Sequence, residues 1–110
     1  MQRLPPALAA EATPRILELL GDPPGRVLEL SFAGIHAPPL RLAGFEVVVV
    51  EPDSEYLARA AERAGGAFTK PPPGTFDAVV APEGADLTGV EARRVLFVRQ
   101  DGSVWSSVSS

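Results

Sequence analysis

The sequence contains no cysteine and no asparagine, and only one histidine, one methionine, one tryptophan and one lysine. Without cysteine there is no disulfide, no thiolate nucleophile and no cysteine-ligated metal. His36 alone falls short of the ligand sets that zinc takes, so no metal site is expected. No apolar run approaches the roughly 20 residues that span a membrane, and no membrane partner is expected. Positive charge is scarce as well. Lys and Arg number 10 against 14 Asp and Glu, leaving a net charge of −4. Nucleic-acid backbones demand a concentrated basic surface, so no nucleic-acid partner is expected. Arg93 and Arg94 are the only adjacent basic pair and read as the solvated flank of a strand. The opening MQRLPPALAAEATP is interrupted by Pro5, Pro6 and Glu11 and makes a poor signal peptide, which gives a cytoplasmic expectation. Missing asparagine, scarce methionine and proline-rich loops fit a thermophile, although a GC-rich genome produces the same bias.

What is present is a chain of 110 residues, 45% hydrophobic and 22% charged, which reads as one globular α/β domain over residues 1–110. Residues 4–12 suggest a turn or two of helix. TPRILELLG follows as a helix, with Thr13 as cap, Pro14 at the first position and Gly21 after its end. RVLELSF is a short buried strand. FEVVVVEP is the strongest strand, its unalternating valines implying burial on both faces. Between them Pro38 starts a short helix and Gly44 ends it. PDSEYLARAAERAGG is a helix capped by Asp53 or Ser54, with Leu57, Ala61 and Ala64 on its apolar face. AFTK adds a third strand before PPPG, and FDAVVAP a fourth. PEGADLTGVEA is loop. RRVLFVR and SVWSSV are joined by QDG as a hairpin.

Strands alternating with helices and closed by a hairpin describe an open, mostly parallel, Rossmann-like sheet. Numbering the strands along the chain, the expected order is 3-2-1-4-5, with residues 103–108 antiparallel at the edge beside 94–99. Ligands of such sheets sit beyond the carboxyl ends of the strands. The loops after Leu30, Val50 and Val80 should therefore converge.

The segments VLEL, FEVVVVEPDSEYLARAAERAG, FDAVVAPEG and RRVLFV, in that order, resemble the core of class I S-adenosylmethionine-dependent methyltransferases over roughly residues 14–99. The resemblance implies S-adenosylmethionine as candidate cofactor. It makes Glu29 the first-strand acid and Glu51 the acid that receives the ribose hydroxyls, with Pro52 and Asp53 beside it. Ser31, Ala33 and Gly34 lie in the cofactor turn, and Glu83 near the reaction site. That turn is degenerate. Glycines two apart are replaced by Ser31, Ala33 and Ile35, with Gly34 out of phase, and Ile35 is expected to crowd the cofactor or resist the turn. APEG replaces the family's proline–aromatic motif after the fourth strand, and the sequence ends after one closing hairpin, where family members add elements that build the substrate pocket.

The resulting expectation is a minimal methyltransferase-like domain without methyl transfer of its own, acting as a small-ligand-binding or interaction module, with no catalytic residue assigned. A methyltransferase completed by another subunit is the alternative. A dinucleotide-binding or ion-channel-regulatory Rossmann domain is a third reading, on the similarity of AGFEVVVVEPDSEYLARAAERAG. Each residue also has a plain structural reading. Glu51 can face solvent or join a helix cap. Glu29, in a buried strand, needs a partner, whether backbone, arginine or cofactor amine. His36 is a loop residue unless paired as a general base, and Tyr56 packs against its helix. A thinly covered sheet face and the uncharged final strand SVWSSVSS with Trp105 lead to the expectation of a homodimer.

Overall fold

The computed structural model describes residues 6–108. Residues 1–5, which open the segment read as a poor signal peptide and contain the start of the expected first helix, lie outside the described residues, as do Ser109 and Ser110. In chain order the elements are helix α1 (Pro6–Glu11), helix α2 (Thr13–Leu20), strand β1 (Arg26–Leu30), helix α3 (Ala37–Leu42), strand β2 (Glu46–Val50) and helix α4 (Ser54–Ala64). They are followed by strands β3 (Thr75–Phe76), β4 (Ala78–Pro82), β5 (Glu91–Ala92), β6 (Arg94–Val98) and β7 (Val104–Val108). No described helix is long and apolar enough to cross a membrane.

The main sheet has five strands in the order β2-β1-β4-β6-β7. Its first four are parallel and β7 returns antiparallel to β6, so the architecture is Rossmann-like with the expected hairpin edge. The order 3-2-1-4-5 is not what forms, because the expected strand at residues 67–70 is missing. Only Phe68 aligns there, bridging Val50 in parallel: its amide donates to Val49 O at 2.9 Å and its carbonyl accepts from Glu51 N at 2.8 Å. Gly65 and Gly66, at φ 75° and 154°, and the prolines at 71–73 leave too little extendable chain between them. β2 therefore forms the edge. The expected fourth strand is also broken at Asp77, whose carboxylate accepts from Arg26 N at 2.7 Å while its own amide donates to Arg26 O. The residues before the break form β3, which pairs in parallel with β5 as a separate two-stranded sheet.

Alternating strand residues build two unequal cores. Val27, Val47, Val49, Val80, Leu96 and Val98 meet Ile16, Leu40, Ala60 and Ala64 of the helices. On the opposite face Leu28, Leu30, Val50, Val79 and Ala81 meet Phe76 and the half-buried Leu87, Val90 and Ala92 of the irregular stretch before β6. All the long helical cover is thus on one face. α2 is tied to the sheet at its C-terminus, where Arg94 donates to Leu20 O at 2.7 Å. This bond, and not solvation alone, accounts for one member of the basic pair. Asp53 caps α4 by accepting from Glu55 N at 3.0 Å, and Gly65 ends it in the left-handed conformation. Thr13 does not cap α2: Ala12 holds that position, and the threonine hydroxyl is used elsewhere.

Candidate functional site

The carboxyl ends of β1 and β2 lie side by side, and the turn from Ser31 to His36 follows directly from β1. Ser31 N donates to Val50 O at 3.0 Å, which lays the turn over the end of β2. The backbone then takes left-handed φ at Ser31 (65°), Ala33 (51°) and Gly34 (75°). For a residue with a Cβ that conformation costs about 1–2 kcal/mol, so Ser31 and Ala33 must be held there by their surroundings.

Two side chains supply the hold. Glu51, with no exposed surface, accepts from Ala33 N through Oε1 at 3.0 Å and from Asp53 N through Oε2 at 3.1 Å. Arg63 of α4 donates to Ala33 O at 2.9 Å. Both backbone polar groups of Ala33 are thereby engaged. Gly34 follows because α4 lies against it: a Cβ there would stand 3.1 Å from Ala60 O and 3.3 Å from Ala60 Cα. Arg41 ties α3 into the same layer, donating to the carbonyls of Ala64 and Val47.

Beneath the turn, on the helical face of β1, lies Glu29. It has no exposed surface, and neither carboxylate oxygen has a hydrogen-bond partner among the described residues. Burial pushes its pKa up to about 7; the facing backbone amides of His36, Gly34 and Ala37 offset this in part, and the nearby Glu51 carboxylate adds to it. His36 is also fully buried. Its Nδ1 lies 2.7 Å from Thr13 Oγ1, its ring meets Phe32 edge-on at 4.8 Å, and its Nε2 is without a partner. Burial lowers its pKa to about 4, so the ring is neutral at pH 7.

The structure therefore brings Ser31, Ala33, Gly34 and Glu51 into one locked assembly, with Glu29 sealed below and Pro52 exposed beside it. Ile35 sits half-buried against the helical core, outside the left-handed positions. Glu83 points to different partners: its Oε2 accepts from Trp105 Nε1 at 3.0 Å and pairs with Arg99 Nε at 3.3 Å. Arg63 and Thr13 carry weight that their local sequence does not announce, since their partners lie 30 and 23 residues away.

A ribose acid works by offering its carboxylate to ligand hydroxyls. Here that carboxylate is already engaged by the turn and shielded from solvent. In this arrangement Glu51 presents no exposed surface to a ligand. No group of three or more metal-ligating side chains gathers among the described residues. No family model matches the sequence, and no curated protein matches it.

Proposed function

We propose that the chain is a methyltransferase-like domain that does not transfer methyl groups and acts as an interaction module, with its former cofactor crevice converted into internal structure. One observation carries this reading. Glu51, the position that the resemblance assigns to ribose, is fully buried with its two oxygens engaged by Ala33 N and Asp53 N. A ligand would have to displace both bonds and lift the turn off Arg63 and α4 before reaching the acid. Each exchanged hydrogen bond to a charged group is worth about 1.5–3 kcal/mol, so the two together are comparable to the whole free energy of weak binding.

Calorimetric titration of the protein with S-adenosylmethionine and with S-adenosylhomocysteine tests it. The expected dissociation constant is no tighter than about 0.1 mM, or roughly −5.5 kcal/mol. Micromolar binding of either compound would overturn the reading in favour of an enzyme completed by another subunit.

A further inference from the structure

The outer edge of β7 carries backbone groups that no backbone bond among the described residues takes up. Five consecutive residues pair with β6 from Arg94–Val108 to Val98–Val104 without a bulge. The bond from Arg99 N to Ser103 O, 2.8 Å, fixes the alternation of this antiparallel pair. Trp105 and Ser107 must then direct their N–H and C=O groups toward β6, while Val104 and Ser106 direct theirs outward. The bond from Glu83 N to Val98 O agrees, because Val98, opposite Val104, must likewise face away from the hairpin partner. No backbone bond among the described residues takes up the outward groups of Val104 or Ser106.

β7 carries no charge and no proline, pairs with β6 without a bulge, and has no strand beyond it among the described residues. We propose that β7 pairs antiparallel with β7 of a second copy, about a two-fold axis through Ser106, joining two five-stranded sheets into one of ten strands.

A second copy fits this edge both in register and in side-chain size. The outward-facing residues 104, 106 and 108 are symmetric about 106. A two-fold rotation there sets Ser106 opposite Ser106 and residue 104 opposite residue 108, each pair in the hydrogen-bonded phase. Every outward donor meets an outward acceptor. The same rotation sets Trp105 opposite Ser107, large against small, where a one-residue slip would put inward-facing groups at the interface. Charge also permits the self-pairing. Each copy carries −4 overall, yet the five paired residues carry none, so like charges do not meet at the axis. The rotation keeps the helices of both copies on one face of the joined sheet. The proposal is independent of whether the crevice takes a ligand, so calorimetry and the experiment below fail separately.

Sedimentation velocity on the full chain, from about 1 to 200 μM, tests the pairing. The wild type should pass from monomer to dimer with a micromolar dissociation constant. Ser106→Pro removes the central outward N–H at a position where an edge strand tolerates proline. Ser106→Lys sets two ammonium groups against each other at an exposed site. Each should weaken dimerisation at least tenfold while keeping the wild-type circular dichroism. An equimolar mixture of Ser106→Lys and Ser106→Glu should restore a dimer. A wild type that remains monomeric at about 100 μM would overturn the proposal, and so would a dimer that neither substitution weakens, or a mixture that fails to associate when both variants are folded.

Discussion

Replacing Glu29 by glutamine should change the protein's dependence on pH more than its structure. In the wild type the carboxyl has its pKa raised from 4.5 to about 7 by burial. Below pH 4.5 the native and unfolded chains both hold the proton, and Glu29 makes no difference. Between pH 4.5 and 7 the unfolded chain ionises while the native one keeps its proton, so stability falls as pH rises. Above pH 7 the full loss, about 3 kcal/mol, has been incurred. His36 acts with the opposite sign. Its pKa is lowered from 6.5 to about 4, so its contribution is complete above pH 6.5 and is lost as pH falls through 4. Across pH 4.5–6.5 the slopes of these two groups oppose each other. Glu29→Gln removes one of them. Urea unfolding followed by Trp105 fluorescence, at pH values from 4.5 to 8, should show the variant gaining stability relative to wild type as pH rises. The stability difference should grow by about 3 kcal/mol between pH 4.5 and 7 and level off above. A difference that stays constant with pH, or shrinks, would refute the placement of an unpartnered carboxyl under the turn.

Two further substitutions probe the lock itself. Glu51→Ala leaves the amides of Ala33 and Asp53 without their acceptor and should cost about 2–4 kcal/mol in urea unfolding, whereas an exposed acid at a strand end would cost almost nothing. Gly34→Ala forces a Cβ onto left-handed backbone and to within 3.1 Å of Ala60 O, and should cost at least about 2 kcal/mol. A loss under about 0.5 kcal/mol by thermal unfolding would mean that the turn does not lie against α4.

The parts of the fold visible in the sequence were those set by local chemistry. Four valines in a row, the Asp53 cap, the glycine after α4 and the turn before Ser103 each act over a few residues, and each lies where local pattern places it. The strand at residues 67–70 failed because sequence pattern counts β-formers but does not weigh the chain lost to flanking glycines and prolines. Thr13 failed as a cap because its hydroxyl went to His36, a competition that only the tertiary structure defines. The nearness of the turn to the strand ends was legible in the sequence, and its conformation was not. Glu29, Ser31, Ala33, Gly34 and Glu51 do come together, but the turn's conformation is set by Glu51 and Arg63, 18 and 30 residues from Ala33. A local glycine pattern cannot report a conformation imposed from that distance.

The unequal cover of the sheet has its own consequence for motion. On one face, Val27, Val80 and Leu96 lie under helices joined to the sheet by Arg94 and Arg41 and to the turn by Arg63. On the other, Leu28, Val79 and Ala81 lie under short β3, β5 and the irregular stretch around Leu87 and Val90. Transient opening draws on the segments with the fewest buried contacts and backbone bonds. The two faces thus belong to different rungs of the same energy ladder. Residues 83–93 can lift and reseat in a partial excursion that leaves the helical layer intact, whereas baring the helical side requires the global unfolding event. Amide exchange would record this as early exchange of the amides of residues 83–93, with the amides of the central strands and the helices exchanging only through global unfolding.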